Sequence, residues 1–466
     1  MIAKPIATAR SAQVLAEPGI KPGVVAFFRL VSPLYFHALL GFRSVAIRHA
    51  ERIVQAYSDF FDGKTRLLIA FRHPYGDEAQ LLGYVIGKIV DREAKRGGVR
   101  LAKKPHAHFV HGYEVPLWAG AFERWLLPRV GAVPVYHTKF DGKSIRQIRS
   151  LMRDGEYPLA LAPEGQVSYS SEELPRLESG ASRICAWCVE DLAREKRPEK
   201  VIILPISVHY RWEASSARQL DKLIGRIENA CGIEPPHGEG TLGGRGTPDG
   251  ASRFDRLSAA ADFILATAER HYSRFYAAAL PRAGNPTRAG RLNDLREAAL
   301  SAAEQAFHLK PDGDEIRRVY KIRQTGWDRI FRTDFSDPKA LPGLERALAD
   351  RVAGEAWYVS RHMELVDLAY YLDFERLKPD DPLELYIETA QNYYDFVSRL
   401  EGGNISDRIS VGRKKATVII GEPIPATDRL SCFGSNRKAA VESLNGDLRR
   451  AYADCIEEIR EERKNG

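Results

Sequence analysis

Cysteine is scarce in this chain: five in 466 residues, an odd and scattered set, which argues against a disulfide scaffold and for a reducing compartment. Clean apolar runs are missing as well. The most apolar stretch, Val24 to Phe42, is interrupted by Arg29, Pro33 and His37, and a spanning helix needs about 20 cleaner residues. It starts too far in, and without a small-residue cleavage site, to read as a secretory leader. A broken or amphipathic segment lying in a bilayer interface is the expectation, with burial as a packing helix as the competing one. There is no internal repeat and no G-x-S-x-G nucleophile elbow. The Gly-rich stretch from Gly238 to Gly250 follows no strand and ends in no Lys-Ser/Thr, so it reads as a connection and not a phosphate loop.

What the chain does have is an excess of Lys and Arg, +7 net, with an isoelectric point near 9.0. That balance favours anionic surfaces. The stretch Lys95 to Lys104 concentrates it, but lacks the interleaved aromatics of a nucleic-acid groove; a solvated loop or an anionic-lipid contact fits better. Cys185-Ala186-Trp187-Cys188 falls inside a helical run with no second ligand pair, which makes it part of a structural helix. His106, His108 and His111 alternate through an apolar segment, and a metal site is not the expectation there.

From Lys64 to Tyr210 short apolar runs alternate with amphipathic helical patterns, the pattern of an α/β sheet covered by helices. Strands are predicted at Leu67–Phe71, Ala107–Val110, Ala132–Tyr136, Pro158–Ala162 and Val201–Tyr210. After Trp212 long helical patterns dominate, until Lys415 to Ile424 restores a strand and Arg437–Arg463 a helix. The expected organisation is a helical, membrane-interface segment over 1–63, an α/β core over 64–212, a helical insertion over 213–410, and the last strand and helix of the core over 411–466. The aromatics of the insertion, Tyr358, Tyr370, Tyr371, Tyr386, Tyr393 and Tyr394, are expected to pack its core.

Two motifs carry the chemistry. His73-Pro74-Tyr75-Gly76-Asp77-Glu78 and Ala162-Pro163-Glu164-Gly165-Gln166-Val167-Ser168 each follow a β-like run. Each therefore belongs where a buried strand delivers polar groups to a sheet edge. An imidazole with a carboxylate close behind is a general base with its orienter, and a Glu beside a Gly with exposed N–H groups suits a polyol or phosphate acceptor.

These blocks, with Gly131 to His137 and Leu204-Pro205-Ile206-Ser207-Val208 in the same order, resemble the glycerolipid acyltransferase superfamily. That family carries N-H-x4-D, G-x5-R, F-P-E-G-T-R-S and V-P-x-x-I blocks. The resemblance covers roughly Lys64 to Tyr210, and implies an α/β fold with a mixed sheet and transfer of an acyl group from a thioester to a hydroxyl of a lysophospholipid or glycerolipid. His73 would be the general base and Glu78 its orienter, with Asp77 the alternative. Arg72, His137, Lys139, Pro163, Glu164, Gly165, Gln166 and Ser168 would meet substrate. No metal and no cofactor is implied beyond acyl-CoA or acyl carrier protein as thioester co-substrate. The implied partners are a lipid acceptor, a membrane surface and acyl carrier protein, without nucleic acid, and the implied location is cytoplasmic, peripheral on the inner face of the membrane.

The departures shape the expectation. Glu replaces the family Asp, and the two arginines that usually meet an acceptor phosphate fall on His137 and Val167. A fixed guanidinium fork is hard to replace for a phosphomonoester, so a different acceptor is expected unless Arg72, Lys139, Lys143 or Arg176 supplies the charge. The alternative of another class is a non-catalytic lipid-binding or scaffold protein that keeps the fold.

Overall fold

The computed structural model describes residues 8–12, 17–136, 142–233, 250–280, 287–403, 408–432 and 436–465. It resolves into two compact units: one from 8–12 and 213–412, the other from 17–136, 142–212 and 413–465. In chain order the strands are β1 (Arg10–Ser11), β2 (Phe42–Arg48), β3 (Thr65–Phe71), β4 (His108–Gly112), β5 (Val133–Val135), β6 (Leu159–Leu161), β7 (Lys200–Trp212), β8 (Phe331–Arg332), β9 (Lys414–Ile420) and β10 (Ile424–Pro425).

The second unit is α/β, with a mixed sheet flanked by helices. Its strands run in the order β2-β9-β7-β3-β6-β4-β5, with β10 beside β7. β7, β3, β6, β4 and β5 are mutually parallel, whereas β9 is antiparallel to β7 and parallel to β2. β3 forms because Leu67, Leu68, Ile69, Ala70 and Phe71 bury both faces at once; all seven of its residues are buried, as a strand covered on both sides requires. Each such Leu or Ile contributes about 1.5–3 kcal/mol.

On one face Leu68, Leu159 and Leu161 meet Ile148 and Met152 of helix Gly142–Asp154, Ile184 and Cys188 of Gly180–Arg194, and Leu444, Leu448 and Tyr452 of Arg437–Asn465. Outside that cluster, Ala50–Phe61 packs on β3 and β9. Cys185 and Cys188 are buried thiols of this core. The helix from Glu78 to Arg96 is continuous but passes through a π-helical turn at Val85–Val90; there Gly87 leaves room for Arg29, whose Cγ would lie 3.3 Å from an added Cβ.

Several expected boundaries shift. Residues 17–63 are not a separate segment: Phe42–Arg48 is a sheet strand, joined to β9. Its apolar alternation is short and interrupted by Arg43 and Ser44, so the sequence showed no strand there. Between β4 and β5 the chain forms two helices, Val115–Trp118 and Ala121–Arg129, parted by Gly120 at φ 112°. The charges of Lys95 to Lys104 are largely engaged: Lys95 and Lys104 with Asp91, Arg96 with Glu93, and Lys103 with Glu156.

The other unit consists mainly of the helices Ala217–Cys231, Gly250–Phe275, Arg288–Phe307, Glu315–Ile330, Gly343–Tyr371 and Leu383–Leu400. It is not wholly helical, because β1 and β8 pair in parallel. Thr287 and Asp314 cap two of its helices with side-chain acceptors, the usual answer to unpaired N-terminal N–H groups. Tyr386 and Tyr393 lie in its core, but Tyr358 is 62% exposed, so helical spacing alone did not decide burial. The 238–249 part of the Gly-rich stretch lies outside the described residues.

Candidate active site

Because β3, β4, β5, β6 and β7 run parallel, their C-terminal ends share one edge of the sheet. The antiparallel β9 and its neighbour β2 bring their first residues to that edge: Trp212 pairs with Lys414, and Phe42 with Lys414. β7 continues past its last β3 pair, Phe71 with Ile206, as far as Trp212. Tyr210 thus projects beside the loop that carries His73.

That loop is organised by Glu78. Its carboxylate accepts from the backbone N–H of Tyr75 at 3.0 Å and of Gly76 at 2.8 Å, and from His73 Nδ1 at 2.7 Å. Gly76 at φ 111° supplies the backbone bend. A carboxylate can only accept here, so Nδ1 carries the hydrogen, and Nε2 is left to take a proton. Glu78 is fully buried, at the first turn of its helix, where the macrodipole favours an anion. The Tyr210 hydroxyl donates to its Oε1. The His73 side chain is 21% exposed.

Burial opposes charging His73, but the hydrogen bond and charge of Glu78, backed by Glu164 and Asp77, outweigh it and hold the imidazole above its ordinary value. For Glu78 burial pushes up, while His73, the Tyr210 hydroxyl and the Gly76 N–H together bring the carboxyl below the usual range. The arrangement is a neutral-to-cationic base set against a carboxylate that stays ionised.

The second motif meets the first through Glu164. Its Oε2 accepts the backbone N–H of His73 at 2.7 Å and its Oε1 accepts Arg72 Nε at 3.0 Å; neither side chain has exposed surface. Arg72 spends its other nitrogens on the carbonyls of Ser171, Ser170 and Glu173, at 2.6, 2.8 and 2.6 Å. Ser168 closes the clamp, its N–H donating to the His73 carbonyl at 2.9 Å. Pro163 is buried and its carbonyl accepts from the Glu178 N–H at 2.7 Å. Gly165, at φ 78°, is exposed, and a Cβ there would lie 2.7 Å from Glu178 Oε1.

The structure therefore brings His73, Glu78, Asp77, Arg72, Glu164 and Ser168 together, but in changed roles. Arg72 and Glu164 were expected to face substrate and instead lock two loops beneath the imidazole, since a fully buried guanidinium with its donors engaged is not open to a ligand. Ser168 is buried as well. Gly165 and the half-buried Gln166 remain on the accessible side. His137 and Lys139 lie outside the described residues. His106, His108 and His111 each spend a ring nitrogen on a separate backbone carbonyl, at 2.8 Å in each case.

Sequence reasoning missed Tyr210 and Lys414. Lys414 Nζ is 2.5 Å from Asp77 Oδ2, and Asp77 Oδ1 is 2.9 Å from the Tyr210 hydroxyl. Strand alternation put Val208, Tyr210 and Trp212 on one face, a usable signal for Tyr210. Nothing local marks Lys414, whose place depends on the register of β9. Comparison with protein-family models, with curated proteins and with solved structures finds no match to this chain.

Proposed function

We propose that this protein is an O-acyltransferase of the glycerolipid type, moving a fatty acyl group from acyl-CoA or acyl carrier protein to a hydroxyl of a lysophospholipid or glycerolipid. The observation that carries the reading is the His73–Glu78 pair at a sheet edge, locked by Glu164 to the Pro163-Glu164-Gly165 turn. His73 Nε2 takes the acceptor hydroxyl proton as that oxygen attacks the thioester carbonyl. Glu78 holds the tautomer and stabilises the imidazolium, a relation shared with hydrolase triads except that the substrate supplies the nucleophile. The thiolate leaves with the proton from His73, which restores the base.

With Arg72 engaged internally and Val167 in an arginine position of the family, the described site offers a phosphomonoester little fixed charge. This supports a zwitterionic or neutral lysolipid as acceptor. Turnover is expected to be higher on a phosphodiester lysolipid or a monoacylglycerol than on lysophosphatidate; a strong preference for lysophosphatidate would overturn that choice.

The partner is a membrane surface, met peripherally at the cytoplasmic face. Helix Pro22–Ala38 turns Phe27, Leu30 and Leu34 outward at 57%, 72% and 72% exposure, and Phe122 and Trp125 of Ala121–Arg129 are 53% and 45% exposed. Phe28 joins the two helices through Phe122, with ring centroids 6.0 Å apart. No acidic residue occurs between Glu17 and Glu51, while Lys21 and Arg43 are exposed, which suits an anionic interface; Arg48 is paired with Glu458 and Glu462. Among the described residues no helix is long and apolar enough to cross a membrane. Lipid profiling by mass spectrometry with and without the protein tests the whole reading: a lysolipid consumed and its acylated form gained is the expected result, and binding without turnover would favour a non-catalytic scaffold.

A further inference from the structure

Behind the His73–Glu78 pair lies a second charged layer that the reaction as written does not use. The Lys414 side chain is 2% exposed, its ammonium 2.5 Å from Asp77 Oδ2. Three rings surround it, with centroids at 3.6 Å for Tyr75, 4.6 Å for Phe42 and 4.8 Å for Tyr210. A buried ammonium is costly unless paired, and ring faces stabilise the charged form. Burial pushes the Asp77 carboxyl above its usual range, and the adjoining Lys414 works against that push; the geometry makes Asp77 the counter-ion of the buried Lys414 ammonium.

The Tyr210 hydroxyl stands between the two acids, touching Asp77 Oδ1 at 2.9 Å and Glu78 Oε1. It has one proton to give. Were both carboxylates uncompensated, two anions would crowd one hydroxyl, and one acid would take up a proton, as adjacent carboxylates do. The Lys414 ammonium meets the negative charge of Asp77, so the hydroxyl can serve Glu78.

We propose that Lys414 and Asp77 form a charge-balancing pair that keeps Tyr210 donating to Glu78 and sets the charge against which His73 accepts its proton. Lys414, Asp77 and Tyr210 are thus positioning residues. The charge ledger is simple. With His73 neutral, Glu78 and Asp77 against Lys414 leave one net negative charge, and with His73 protonated the cluster is neutral. Glu164 on the loop after β6, which also faces His73, is offset by Arg72. The catalytic consequence rests on the acyl-transfer reading, whereas the charge balance is read from the imidazole alone.

The experiment is an NMR titration of the His73 imidazole in the full-length protein, assigned by its loss in His73→Gln, alongside the pH dependence of kcat/KM. Lys414→Met removes a positive charge and is expected to move the His73 midpoint to higher pH. Asp77→Asn removes a negative one and is expected to move it to lower pH. Lys414→Met/Asp77→Asn restores the balance, so its midpoint returns towards that of the unaltered protein, and it recovers most of the transfer lost by either single variant. Circular dichroism screens for folding, and if Lys414→Met does not fold, Asp77→Asn and the double variant still give different expectations, a lowered midpoint and a restored one. Midpoints that do not move, or that move the same way in both single variants, would overturn the proposal. Midpoints that move as expected in a protein without acyl transfer would retain the charge balance and reject the acyl-transfer reading; transfer with unmoved midpoints would do the reverse.

Discussion

His73 and Glu78 are five positions apart in the chain, yet what makes them a base and its orienter is the turn between them, in which Glu78 collects two backbone N–H groups before it meets Nδ1. Glu78→Gln keeps the shape but loses the anion, so it is expected to lower turnover far more than Asp77→Asn, measured on one acceptor at saturating donor. The pH dependence has a definite sign. The base works when neutral, and Glu78 raises its proton affinity, so kcat/KM should rise with pH through a midpoint above the ordinary histidine value. For folding the same shift runs the other way: the stability His73 lends is complete below its unfolded value near 6.5 and fades as pH climbs through the folded one. Glu78, held below its usual range, lends stability above the unfolded glutamate value and loses it in acid. At this scale the sequence was informative: His73, Glu78 and Glu164 were legible as one site because their spacing after two β-like runs implied a common sheet edge. Their division of labour was not legible, since whether a buried Arg72 faces ligand or loop carbonyls depends on contacts some hundred positions away.

Among elements, the Arg72–Glu164 pair is what binds the loop after β3 to the loop after β6. Both side chains are without exposure, and removing one partner of a buried pair costs about 3–5 kcal/mol through the charge left behind. Arg72→Ala should accordingly lower the midpoint of urea unfolding as well as activity, and Lys at this position should not restore it, because it lacks the fork that reaches three carbonyls. An Arg72→Ala variant of unaltered stability would return that residue to substrate binding. The long strands β3, β7 and β9 were readable from apolar runs. β2 was not, because Arg43 and Ser44 break its pattern and only pairing with β9 defines it. The site's second layer was hidden for the same reason: Lys414 and Phe42 come to Tyr210 through strand register, which no local pattern contains.

For the molecule as a whole, the α/β unit is assembled from three stretches of chain, 17–136, 142–212 and 413–465, so the residues that build one sheet edge are separated by the helical unit in sequence. The same unit carries the outward Phe27, Leu30 and Leu34. Leu30→Glu/Leu34→Glu is expected to reduce co-sedimentation with anionic vesicles without lowering thermal stability, and binding unchanged by it would place the membrane contact elsewhere. The central claim is that His73 removes a proton from a lipid hydroxyl during acyl transfer. Its most direct test is turnover of a labelled acyl thioester onto a lysolipid by the protein and by His73→Ala of equal folded content. The account predicts measurable transfer that falls by about 10² to 10⁴ in the variant; transfer that survives His73→Ala unchanged would contradict it.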